Sequence, residues 1–144
     1  MKLRCILSLP GILILLTAPL FSQQTGHFYN VDQERQIEGK IQKIVMEPRY
    51  KTTSPFLVLV VKDQKTNRSY NIEVSPVWFF SQDFHTGEDL RIVGSYYSTG
   101  NTHNIIARQI RFKGKWLELR DRHGFPNWSG GRMGRMGRHR GKKF

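Results

Sequence analysis

The sequence predicts an all-β domain, on three observations: short apolar runs bounded by turn residues, residue-by-residue alternation along several of them, and no helical repeat of 20 to 50 residues. The first run, Gln36 to Met46, puts Ile37, Gly39 and Ile41 on one face, then shifts so that Ile44 and Met46 continue that face. A glycine plus a register shift predicts a bulged, strongly bent strand. Glu47 to Pro55 is a loop bounded by prolines. Phe56-Leu57-Val58-Leu59-Val60-Val61 is apolar throughout and rich in β-branched residues, as expected of a central strand. Lys62 to Asn67 turns the chain, and Arg68 to Ser75 alternates, with Tyr70, Ile72 and Val74 opposite Ser69, Asn71 and Glu73, so the two runs form a hairpin.

Ser75 can cap, and Pro76 can open, one short helix over Val77 to Phe84. Thr86-Gly87-Glu88-Asp89 then turns into a fourth strand, Leu90 to Tyr97. Ser98 to Asn101 loops into a fifth, Ile105 to Phe112, and Trp116 to Arg120 adds a last short strand. Five principal strands with a short helix between the third and fourth is the element order of an OB-fold-like barrel, and closing the sheet removes its exposed edges. In the segment after the last strand, Phe125 and Trp128 are expected to fold back over one barrel opening, the alternative being an exposed aromatic docking segment for a partner protein.

Four regions follow from composition. Residues 1–22 read as a signal peptide or uncleaved anchor, because Lys2 and Arg4 precede the apolar stretch Cys5 to Phe21. Residues 23–34 are a polar lead-in, 35–128 the barrel with its C-terminal extension, and 129–144 a disordered Gly/Arg/Met-rich basic tail. A periplasmic or secreted location follows, with anchoring to an inner membrane by residues 5–21 as the variant. Removing the signal removes the sole cysteine, so stability must come from packing. The formal net charge is +12, and six basic residues with no acid lie in 129–144. Such a balance favours polyanionic partners: nucleic acid, anionic lipid or glycan.

Ile37-Glu38-Gly39-Lys40-Ile41, together with Thr86-Gly87-Glu88-Asp89-Leu90-Arg91-Ile92-Val93-Gly94, resembles the small exported, periplasmic bacterial OB-fold proteins. The resemblance covers roughly residues 35 to 113 and implies a fold and a periplasmic setting.

Catalytic patterns are not found. The five histidines are dispersed, and Asp83-Phe84-His85 and Asp121-Arg122-His123 fit turn capping better than acid–base work. No enzyme and no cofactor is expected. In OB-folds, ligands meet the face of strands two and three and the loops joining strands one to two and four to five. Those places hold Arg49, Tyr50 and Lys51; Lys62, Arg68 and Tyr70; and Tyr96, Tyr97 and His103. Their aromatics could stack on a ligand while the cations neutralise it, or the tyrosines could simply cover the barrel mouth.

In the tail, Arg132, Arg135, Arg138 and Arg140 could wrap a polyanion. Met133, Met136 and His139 recur every third residue, and thioether plus imidazole suits Cu(I). Periplasmic OB-fold copper carriers make that reading concrete, although such carriers hold their methionines on barrel strands. The expected function is therefore an exported, non-enzymatic binding module for a polyanion. The alternatives are a copper carrier and an envelope assembly factor whose partner is an envelope protein.

Overall fold

The computed structural model describes residues 28–50 and 54–129. A 3-10 turn, Val31–Gln33, leads into β1 (Glu34–Pro48), β2 (Pro55–Asp63), β3 (Ser69–Pro76), β4 (Asp89–Thr99), β5 (Thr102–Phe112) and β6 (Lys115–Glu118). Antiparallel pairs join β1 to β2, β2 to β3, β1 to β4 and β4 to β5, and a parallel β3–β5 pair closes the ring. The result is a five-stranded, OB-fold-like barrel, with β6 laid on the end of β5 as a hairpin.

The long first strand makes closure feasible. Its N-terminal half pairs with β4, from Glu34↔Ser95 to Lys40↔Asp89, and its C-terminal half with β2, with a register shift between Ile41 and Lys43. This is the bend predicted from the Gly39 to Met46 pattern. Gly39 sits at the crossing, where a Cβ would collide with the carbonyl oxygen of Lys62, so only glycine lets the two strands approach this closely.

The interior is filled by Ile41, Leu59, Ile72, Ile92, Ile105 and Ile110, each at most 2 % exposed. The uninterrupted apolar run of β2 is explained by burial on both faces. Leu57, Leu59 and Val61 enter the barrel core, whereas Phe56 and Val58 are buried outside it. A second apolar layer therefore lies on the outer wall, where the C-terminal extension packs: the Trp128 ring meets Phe56 at 5.8 Å and Phe79 at 5.4 Å.

Two expectations need correction. The short helix over Val77 to Phe84 does not form: Val77–Phe79 is a single turn, and Phe80 to His85 is irregular. Ser75 and Pro76, read as cap and first turn, are instead strand residues paired with Leu57 and Phe56. The aromatic residues after them spread to separate partners, Phe79 to Trp128 and Phe84 to Phe112, which one helical face could not serve. Nor do Phe125 and Trp128 act together over a barrel opening. Trp128 covers the outer wall, and Phe125 is 68 % exposed.

Candidate functional site

The β4–β5 end of the barrel is plugged by side chains. Tyr70, Tyr96 and His103 form one cluster there, with the Tyr96 hydroxyl 2.8 Å from His103 Nδ1 and the Tyr70 and His103 rings 5.8 Å apart. The Arg35 guanidinium lies 3.8 Å from the centre of the Tyr96 ring. These three predicted residues are brought together, and what they do in the barrel is close its mouth.

Arg49, Tyr50 and Tyr97 converge elsewhere, on the fully buried carboxylate of Glu73. Arg49 Nη1 donates to Glu73 Oε1 at 2.8 Å, and the Tyr50 and Tyr97 hydroxyls donate to the same carboxylate. Arg49 also pairs with Glu47 at 2.6 Å. Burial, together with the Glu73 charge and its hydrogen bonds, raises both phenols well above their ordinary value. An analogous cluster sits at the start of β1. Arg108 grips Glu34 with two donors and holds that carboxyl below its usual range, while the Tyr29 hydroxyl donates to Glu34 and is itself raised, chiefly by burial.

Between these clusters lies the buried Arg120. It donates through Nη1 to the carbonyls of Val74 and Ala107, and its guanidinium stacks on Trp128, 4.7 Å from the ring centre. Burial pulls its pKa down to about 10.

Over this region the surface is concave. A groove of about 580 Å³ runs along the outer wall, with Phe56, Ile106 and Arg120 in its floor and Phe28, Tyr29, Tyr50, Trp78, Phe125 and Trp128 around it. Its volume falls within the range of small-ligand sites, and its lining joins many apolar groups to a few polar ones. Gly124 shapes one wall: its backbone has φ +86, and a Cβ would collide with the Tyr29 ring. Reading the sequence did not single out Arg120, Glu73 or Trp78 as site residues. The two-sided apolar run at Phe56 to Val61 was the one signal that something must pack outside the barrel.

Lys62 and Arg68 lie apart from the groove and both are exposed, Lys62 on the outer face of β2 and Arg68 in the turn before β3, opposite Asp63 and so out of phase with Lys62. The register sets Lys43 beside Lys62: Lys43 opposes Val60, two residues from Lys62 on the same face, and Asn71, also opposite Val60, donates to Asn104 at 3.3 Å. Lys51, Arg132, Arg135, Arg138 and Arg140 lie outside the described residues, as do Met133, Met136, His139 and the signal segment.

Among the described residues, no three His, Cys, Asp or Glu side chains are grouped to hold a metal ion, and no helix is long and apolar enough to cross a membrane. Of the two carboxylate–imidazole sequences, Asp121-Arg122-His123 is a capped turn, in which Asp121 accepts from the backbone of His123 and Phe125. Asp83-Phe84-His85 is irregular: the Asp83 carboxylate lies 3.5 Å from His85 Nε2, and it is Glu88 that accepts from the His85 backbone.

No curated protein and no solved structure matches the chain. One family model does, over residues 33–117, a span that takes in all five barrel strands and most of β6. The chain belongs to the MamS/MamX magnetosome protein family.

Proposed function

We propose that this protein is an exported, non-enzymatic binding module that serves the magnetosome by engaging a polyanionic partner on the outer face of β1–β2–β3. One observation carries the reading. Lys43 and Lys62 are exposed along that face and make no ion pair among the described residues, whereas Lys40, Arg49, Arg91, Arg108 and Lys113 each have a carboxylate partner; Arg68, exposed and likewise without an ion pair, stands in the turn at the end of the same hairpin. Unneutralised cations in a row, beside the Asn71–Asn104 amides, suit a repeating anion better than a single small one. The magnetosome setting comes from the family, and export from the charged and apolar order of residues 1–22.

The test is retention of the full chain on a sulfated glycan matrix and on a single-stranded oligonucleotide as salt is varied. Wild-type protein is expected to bind with a steep salt dependence, and K43E/K62E to lose roughly one to two from the slope of log affinity against log salt. An unchanged slope in the double variant would remove this face from the reading. No retention of the wild type even at low salt would remove the reading itself.

A further inference from the structure

The rim of the groove carries three large rings that the fold leaves open to water: Phe28 is 83 % exposed, Trp78 62 % and Phe125 68 %. They come from three separate stretches of chain, before β1, between β3 and β4, and after β6, yet all border one concavity. Scattered exposed apolar residues are ordinary, but three aromatic residues around one apolar hollow form a patch of the kind that meets a partner or a membrane. Trp and Phe rings are suited to the boundary between water and hydrocarbon, where an apolar body is sheltered and, for Trp, an N–H stays wet.

The chain that flanks the described residues selects between these occupants. Phe28 is separated from the apolar run Cys5 to Phe21 by residues 22–27 alone. Trp128, which also lines the groove, is followed by residues 129–144, with six basic side chains and no acid. Tyr50 and Ser54, two further lining residues, are joined through Lys51-Thr52-Thr53. Hydrocarbon-seeking sequence and sequence attracted to anionic head groups thus both join the domain at this one groove.

We infer that the aromatic rim is a membrane-docking surface, with Phe28, Trp78 and Phe125 seated in the interface of a bilayer that carries anionic lipid. This surface is distinct from the cationic strip of β1–β2–β3 and stands or falls separately from it.

The experiment is quenching of tryptophan emission by brominated acyl chains in vesicles of phosphatidylcholine and phosphatidylglycerol, using the full chain. Because residues 5–21 could hold the protein on a vesicle unaided, the readout is contact of Trp78 with lipid and not sedimentation. Of the three tryptophans, Trp116 does not line the groove. W116F is expected to keep its quenching and W116F/W78F to lose most of it. F28S/F125S in the W116F background should reduce it while circular dichroism stays unchanged. Quenching should also weaken on vesicles of phosphatidylcholine alone. Quenching that survives in W116F/W78F, or equal quenching on both vesicle types, would overturn the proposal. So would Trp78 emission that shifts with protein concentration in lipid-free buffer and ignores lipid, the behaviour of a second copy seated on the rim.

Discussion

Among single residues, Glu73 has the most riding on it. A carboxylate at zero exposure is tolerable only because Arg49, Tyr50 and Tyr97 surround it with charge and donors. Removing it strands a half-buried guanidinium and two hydroxyls, so E73A is expected to cost about 3–5 kcal/mol in urea unfolding. A loss under about 1 kcal/mol would mean that the three donors find other partners. None of this was legible beforehand. Glu73 occupies the polar phase of an alternating strand, the pattern of a solvent-facing residue, and its donors come from a distant loop and another strand. Arg49 and Tyr50 were read with Lys51 in one loop and Tyr97 with Tyr96 and His103 in another; in the fold Arg49, Tyr50 and Tyr97 share this carboxylate.

Between the elements, the C-terminal extension acts as a cover strapped to the outside of the barrel. Backbone hydrogen bonds fasten it where Leu119 and Arg120 both donate to the carbonyl of Arg108, and Trp128 anchors its far end. W128A should therefore cost about 3 kcal/mol, whereas F125A should change stability by no more than about 0.5 kcal/mol, both read from thermal or urea unfolding. Similar losses in the two variants would mean that the cover is not anchored as described. The strands themselves were readable because their pattern is local: Tyr70, Ile72 and Val74 alternate within five positions, and the shift after Ile41 announces a bulge. The failed helix shows the limit of local reading. Ser75-Pro76 is a sound helix opening in isolation, but pairing with Phe56 and Leu57 outweighs it. The groove was unreadable for the opposite reason, since Phe28, Trp78 and Phe125 are brought together by barrel closure and by the packing of the flanking segments, as where Gly124 meets Tyr29.

For the whole molecule, the ionisable groups of the outer wall predict how stability responds to alkali. Tyr29, Tyr50 and Tyr97 are all raised above the ordinary value of 10.0, so above that pH the unfolded chain releases protons that the folded one keeps. Stability contributed by these phenols is present below pH 10 and lost as pH rises. Arg120, lowered from 12.5 to about 10, works in the other direction over that interval, but it is one group against three. The urea midpoint should fall between about pH 9 and about pH 11. Tyrosinate absorbance should show Tyr29, Tyr50 and Tyr97 ionising only as the protein unfolds. A midpoint that holds or rises over that range would mean that the phenols are not sheltered.

The divided pairing of β1 also sets an order of events in folding. Its C-terminal half can pair with β2 as soon as the next few residues are available, but Glu34 must wait for Ser95, and ring closure waits for Asn104 to reach Asn71. Half of the first strand therefore remains an open edge until most of the domain has been made, and contacts this distant in sequence slow folding. A chain of this design can assemble β1, β2 and β3 early, but its ring is completed only after β4 and β5 have been made.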